Sequence, residues 1–416
     1  MNKRRVVVTG LGAITPLGNT VPEYWDGLIN GVSGTGTITR FDASKFKSQI
    51  ACEVKNYDSA QYFDRKEVRK YDLVSQFGII SANEAIKDSG LDLSQEDCHR
   101  IGVVWASGIG GLITFYEEVA AFATGDGTPR FSPFFIPKMI ADITAGHISM
   151  IHGLKGPNYA TVSACASSAN AIADAIMLIR HGYADVMVAG GSEAAINQGG
   201  IGGFNSMHAI STRNEDPATA SRPFDKDRDG FVMGEGGAGL ILEDYDHAVK
   251  RGAKIYAELI GFGLSADAYH LTAPHPEGEG ARMAMSIAIK DAGIALTDVD
   301  HINTHGTSTP VGDIAEPKAI AELFGEHAYS ISINSTKSMH GHLLGAAGAI
   351  ESIAVIFALQ KGIIPPTINH FTDDPEIDGR LDFTFNKAKE RNITYALSNT
   401  FGFGGHNVSL AFKKAE

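Results

Sequence analysis

Cysteine is scarce: Cys52, Cys98 and Cys165 are the only three in 416 residues, and no Cys-x-x-Cys pair occurs among them. An odd, scattered count excludes a disulfide framework and lacks zinc-site spacing, so a reducing compartment, the cytoplasm, and no metal are expected. Long apolar runs are missing too. No stretch approaches ~18 continuous apolar residues, which argues against a membrane span. The basic start is followed by only Val6, Val7 and Val8 before Thr9, short of a signal-peptide core. Positive charge is in deficit, with 35 Lys and Arg against 48 Asp and Glu and a net charge of −13. Non-specific nucleic-acid binding is therefore not expected, and an acidic partner needs a local basic patch. What is plentiful is glycine, 47 residues, much of it in Gly-Gly and Gly-x-Gly turns suited to the tight corners of an α/β protein.

Gly10-x-Gly12 after the strand-like run Arg5–Thr9 hints at a dinucleotide fingerprint, but position 15 is Thr15 and no helix pattern opens there. No cofactor is expected on that ground. The stretch around which the chain is organised lies further on. Thr161-Val-Ser-Ala-Cys165 reads as strand-like and then enters a run, Ala166 to Ile179, that is apolar on almost every face, so a buried helix is expected with Cys165 at or near its N-terminus. A thiol there sees the positive end of the helix dipole, which lowers its pKa, and small neighbours leave room for a carbonyl to approach. Taken alone, the stretch reads more simply as a core helix with cysteine as a small hydrophobe. Partners elsewhere decide.

A helix is expected over Val74 to Asp88, followed by strands at Ile101–Ala106, Ala184–Gly191 and Gly236–Leu242. The second part of the chain repeats this order. Ala85-Ile-Lys-Asp88 is matched by Ala288-Ile-Lys-Asp291, Val8-Thr-Gly10-Leu-Gly12 by Leu259-Ile-Gly261-Phe-Gly263, Ile179-Arg-His-Gly182 by Leu359-Gln-Lys-Gly362, and Gly236-Gly237 by Gly404-Gly405. Four matches in one order imply two similar βα-rich halves, 1–253 and 254–416, with the extra loops mostly in the first.

The second half carries three polar segments. Asn303-Thr-His305-Gly-Thr-Ser-Thr309 places a histidine and hydroxyl residues at a strand end, a composition for a pocket rim. Ile333 to Glu351 holds Lys337, His340 and His342 ahead of a Gly- and Ala-rich helix; its place in the repeat is that of the Cys165 elbow. A pseudo-twofold axis therefore sets Cys165 and His342 facing one cavity, with His305 arriving from a neighbouring strand. Lys337 and Glu351 are either a buried ion pair or two surface charges. The loop Ser398 to Asn407 is glycine-rich enough for its backbone to approach other atoms closely; its amides suit an oxyanion donor, and Phe403 a movable cover.

Ser163-Ala-Cys-Ala-Ser-Ser168, Asn303-Thr-His-Gly-Thr-Ser-Thr309, Thr336-Lys-Ser-x-x-Gly-His-Leu-Leu-Gly-Ala-Ala-Gly348 and Phe401-Gly-Phe-Gly-Gly405 together resemble the motifs of the elongating β-ketoacyl-acyl-carrier-protein synthases, over residues 4 to 412. The resemblance is closer to type II enzymes, since Ile109 stands in Ser107-Gly-Ile-Gly-Gly111 where type I enzymes usually have Gly. Three positions depart from the usual pattern: Thr304 for Ala, His340 for Thr and His406 for Thr.

The resemblance implies a thiolase-like fold of duplicated βαβαβ halves in an αβαβα layering. It also implies a decarboxylating Claisen condensation of malonyl-acyl-carrier protein with a Cys-bound acyl chain, as in fatty acid elongation. Cys165 is then the nucleophile, His305 and His342 the hydrogen-bond donors to the enolate, and Lys337, partnered by Glu351, the tuning charge. Phe403 is gate and backbone oxyanion donor. Thr307 and Thr309 hold the pantetheine arm, while Ile109, Phe135, Phe204 and Phe401 line the acyl site. Lys66, Arg69, Lys70 and Arg130 are the implied docking surface for an acidic acyl carrier protein. A homodimer is implied as well, with the apolar excursion Phe131 to Pro137 at its interface, closing the other subunit's pocket. A specialised polyketide pathway is the alternative setting. A thiolase would need a second cysteine near the C-terminal glycine loop, a papain-like hydrolase no duplication, and a non-catalytic chain-length subunit would lack Cys165.

Overall fold

In the computed structural model, residues 3–415 are described. The repeat seen in the sequence becomes a repeat of strands. The first half contributes β1 (Val6–Ile14), β2 (Ile101–Ala106), β3 (Asn158–Tyr159), β4 (Val186–Glu193) and β5 (Gly236–Asp244). The second contributes β6 (Ala257–Ala266), β7 (His301–Asn303), β8 (Ser332–Asn334), β9 (Tyr395–Gly402) and β10 (His406–Lys414). Their order across the sheet is β8-β7-β9-β10-β6-β1-β5-β4-β2-β3. From the centre outward each half runs first, fifth, fourth, second, third strand, so the two are related by a pseudo-twofold axis. Within the sheet they join where β1 and β6 pair antiparallel through Val7–Glu258 and Val8–Ala257.

Helices α1 (Leu73–Asp88), α2 (Ser167–Arg180), α3 (Glu279–Ala292), α4 (Gly312–Phe324) and α5 (Ala347–Lys361) complete the layers. The buried residues of α2 and α5, among them Ile172, Ile176, Ile353 and Ile356, share one core with Val8, Leu240, Leu410 and Phe412 of both sheet halves. Phe77 and Ile79 of α1 cover the outer face of the first half against Trp105 and Ile241. Met285 of α3 and Ile320 of α4 cover that of the second against Ile302 and Leu397. The result is the expected α-β-α-β-α stacking. Each fully buried aliphatic side chain in it contributes roughly 1.5–3 kcal/mol by leaving water.

The Gly-x-Gly echo has a packing cause. A Cβ on Gly10 or Gly12 would lie 2.2 Å from the Ala85 carbonyl or 2.0 Å from that of Ser81; on Gly261 or Gly263 it would strike the carbonyls of Ala288 and Ala284 at 2.6 and 1.9 Å. These glycines let α1 and α3 lie directly on β1 and β6. The segment Leu344–Lys361 is long and apolar enough to cross a membrane by length and composition, but it is 83% buried between the sheet halves as the core helix of the second repeat.

The strand-like reading of Thr161 to Ser163 is corrected: the strand is Asn158–Tyr159, and the chain then runs irregularly into a one-turn 3-10 helix, Ala164–Ala166. The basic segment around Lys66 forms one helical turn, Arg65–Val68, opened by a capping box between Asp64 and Glu67.

Candidate active site

Two equivalent corners meet at the centre of the molecule. Ala164, just before Cys165, has φ +51°, and Leu344, just before Gly345, has φ +47°. Left-handed conformations at non-glycine residues cost of order 1 kcal/mol or more and persist only where surrounding packing demands them. Each corner then opens a core helix, α2 at Ser167 and α5 at Ala347. The structural counterpart of Cys165 is thus Gly345, and His342 precedes that corner by three residues.

The juxtaposition itself is as expected. His342 Nε2 lies 3.0 Å from Cys165 Sγ. The His305 and His342 rings are 5.3 Å apart and nearly perpendicular. The His342 peptide is held by its N–H donating to the Val232 carbonyl at 2.8 Å. His305 is held from behind: Glu316 of α4 accepts the N–H of His305 and of Gly306, both at 3.0 Å, and the Asn399 amide at 3.2 Å. Lys337 and Glu351 form an ion pair with both side chains almost wholly buried.

The electrostatics follow from this burial. Desolvation first, then the Lys337 charge, hold both His305 and His342 well below the ordinary histidine range, so the imidazoles are neutral at physiological pH. The Nδ1 atom of each ring is buried without a partner. A bare lone pair is tolerated there better than a bare N–H, which puts each ring proton on Nε2. Cys165 departs from expectation. Burial pushes its thiol up to about 11, outweighing the Lys337 charge and the backbone N–H groups of Phe403 and Cys165, which pull it down. Burial thus opposes the thiolate that a helix N-terminus favours.

Phe403 reaches Cys165 because position 402 is glycine: a Cβ there would lie 2.7 Å from the Ser163 carbonyl and 3.1 Å from the Cys165 nitrogen. Phe401 packs on His305 at 5.9 Å and Phe403 on Phe204 at 6.5 Å between ring centroids. Cys165, both histidines, Ile109, Phe204, Thr307, Thr309, Phe401 and Phe403 all line one cavity of about 710 Å³. A buried thiol facing two neutral imidazoles, with backbone N–H groups aimed at its sulfur and an apolar chamber beyond, is equipped for acyl transfer.

Sequence comparison decides the family. The chain matches the β-ketoacyl synthase N-terminal domain over residues 3–248 and the C-terminal domain over residues 256–371. It belongs to the β-ketoacyl synthase family. It is 50% identical to a 3-oxoacyl-[acyl-carrier-protein] synthase 2 of Synechocystis over 414 residues, covering 100% of this chain and 99% of that protein. Among solved structures it resembles a β-ketoacyl synthase from Burkholderia phymatum, with TM-score 0.91, 34% identity and coverage of 99% of this chain and 100% of that one. It also resembles a ketosynthase bound to a hexaketide in complex with its type II polyketide acyl-carrier protein, with TM-score 0.92, 35% identity and full coverage of both chains.

The departures from the family pattern have visible consequences. His340 is buried, with Nδ1 2.8 Å from the Gly341 carbonyl and Nε2 2.9 Å from the Thr336 hydroxyl, so Nδ1 donates, Nε2 accepts, and the peptide leading to His342 is pinned. Thr304 donates its hydroxyl to the Asn334 carbonyl at 2.8 Å. His406 is exposed at the start of β10.

Sequence reasoning missed the buried carboxylates. Glu193 accepts from the Ser107 hydroxyl at 2.9 Å, Gly108 N–H at 2.7 Å and Gly345 N–H at 3.0 Å, thereby tying the Ile109 loop to the second corner. Burial pushes Glu193 and Glu316 up to about 7. The available signal was a lone acid at the end of the apolar run Val186 to Ser192.

Two groups of expected residues lie elsewhere. Phe135 is not at the cavity of its own chain; it stacks on Phe131 and Phe115 at 5.4 and 6.4 Å, because the excursion folds its aromatics together against the helix Leu112–Thr124. Lys66, Arg69 and Lys70 are exposed, and so is Arg130, which pairs with Asp126 at 3.1 Å in a contact open enough to water to add little stability.

Proposed function

We propose that the chain catalyses the decarboxylating condensation of malonyl-acyl-carrier protein with an acyl group held on Cys165, giving 3-oxoacyl-carrier protein in fatty acid elongation. The observation that carries this reading is the 3.0 Å approach of His342 Nε2 to Cys165 Sγ with His305 alongside. Full-length identity of 50% to a synthase of that name supports fatty acids over the polyketide setting, for which the structural relative is 35% identical.

In this mechanism the Cys165 thiol, which accepts the His342 Nε2–H, attacks the acyl-carrier thioester, and the thiol proton passes to the departing carrier thiolate. The N–H groups of Cys165 and Phe403 hold the tetrahedral oxyanion, a contribution typically of ~3 kcal/mol per donor. Malonyl-carrier then loses CO₂, and the enolate oxygen accepts the neutral Nε2–H groups of His305 and His342. The carbanion attacks the acyl carbon and the Cys165 thiolate leaves. A low histidine pKa suits this, since the rings must donate while remaining uncharged. Lys337, matched by Glu351, sets that field, and Thr307 with Thr309, 3.0 Å apart at the cavity, receive the pantetheine arm.

The carrier docks on Lys66, Arg69, Lys70 and Arg130, and the chain works as a cytoplasmic homodimer through the apolar excursion. The free state of all three cysteines and the exposure of Phe131 and Ile136 support this assembly and compartment. The direct test is Cys165→Ala beside Cys165→Gln. Both are expected to fold and to lose condensation, and Cys165→Gln to keep decarboxylating malonyl-carrier because the histidines remain; elongation at the normal rate by either variant would overturn the assignment.

A further inference from the structure

The acyl-transfer site has a second chemical character that the reaction does not use. One ligand-bearing atom from each of Cys165, His305 and His342 lies within 4.8 Å of the other two. The three come from separate elements: the corner before α2, the loop after β7 and the segment leading to α5. We propose that this triad is a three-ligand site for a soft divalent transition ion, zinc above all, which binds in competition with the acyl group and reversibly blocks the protein.

Geometry supports the fit. In a tetrahedral zinc site, ligand distances of about 2.3 Å to sulfur and 2.0–2.1 Å to nitrogen put neighbouring donor atoms roughly 3.3–3.6 Å apart. The Cys165–His342 contact, at 3.0 Å, has only to widen by about half an ångström. The His305 donor lies within 4.8 Å of both and has to close by up to about 1.5 Å to reach that spacing. The fourth position opens into the 710 Å³ cavity, so a water or other small ligand completes the sphere as in open zinc sites.

Two neighbours decide which ions are accepted and how tightly. The Lys337 ammonium opposes added positive charge, although Glu351 already balances it. A hard cation such as magnesium or calcium finds no oxygen ligand in the triad, whereas an ion that takes the sulfur as thiolate gains one negative charge and its best bond at once. Ligation through Nε2 moves each ring proton to Nδ1, which has no partner in either histidine. The site therefore lacks the outer hydrogen bonds that tighten resident zinc centres, and reversible occupation is expected.

The site also explains its own exclusivity. Once the sulfur carries an acyl group it is a thioester and no longer a thiolate ligand, so metal and acyl chain compete for one atom. The test uses untagged, metal-free protein and cobalt(II) alone as probe. One equivalent is expected to give a thiolate-to-cobalt charge-transfer band with the visible spectrum of a four-coordinate ion, and zinc is expected to bleach both. Cys52→Ala with Cys98→Ala should leave the spectrum unchanged. Cys165→Ala, or prior acylation of Cys165, should abolish the charge-transfer band, and His305→Ala should weaken binding at least tenfold. A band that survives Cys165→Ala, or its absence from folded wild-type protein, would overturn the proposal. Neither readout depends on condensation, so failure here and failure of the proposed reaction are separable.

Discussion

Lys337→Met removes the cation of the buried pair and leaves Glu351 unpaired, with relative side-chain exposures of 1% and 0% for the two partners. Breaking a buried pair in this way typically costs 3–5 kcal/mol. Here the loss has a route for relief. Burial already pushes the Glu351 carboxyl from 4.5 up to about 7 with the ammonium beside it, and without that charge the value rises further. The carboxyl then takes up a proton on folding. Holding at pH 7 a proton that the unfolded chain, with its value of 4.5, would release costs about 3 kcal/mol.

The sign follows from the raised value. The folded variant binds more protons than the unfolded one between 4.5 and its own raised pKa, so stability falls as pH rises across that window, by about 1.4 kcal/mol per pH unit. Urea unfolding of Lys337→Met from pH 6 to pH 8 should show this slope beyond that of the wild type, and Lys337→Met with Glu351→Gln should remove it and recover stability. A Lys337→Met loss equal at both ends of the range, or no recovery in the double variant, would refute the account of the pair.

With burial holding the Cys165 thiol up to about 11, its alkylation by iodoacetamide should still be climbing tenfold per pH unit at pH 9; a plateau below pH 8 would mean that the dipole outweighs burial after all. Ile109 lines the cavity, and Ile109→Phe should spare short acyl acceptors and suppress long ones several-fold by overpacking the channel, whereas equal loss at all lengths would remove it from the chain's path. Reversing Lys66 and Lys70 to Glu should raise KM for carrier substrates at least tenfold at low salt, less at high salt, with kcat little changed; an unchanged KM at low salt would put the docking surface elsewhere.

The duplicated α/β order was legible in the sequence because its cause is local and periodic: apolar strand runs, helices ending at Gly90 and Gly293, and the paired glycines under α1 and α3, which only the absence of a side chain permits. The motif residues were legible for a similar reason. Cysteine, histidine and lysine are conspicuous among neighbours that are mostly glycine, alanine, serine and threonine.

Long-range assembly decided the rest. The matched left-handed corners at Ala164 and Leu344 are a backbone conformation that those residue types do not advertise. Glu193 and Glu316 act as clamps only because backbone amides distant in sequence converge on them. The folding of Phe135 against Phe131 reflects a choice among apolar neighbours that composition leaves open. The thiol's protonation was set in the same way: the sequence supplied the helix whose dipole favours the anion, and the packing of the two sheet halves around it supplied the burial that opposes it.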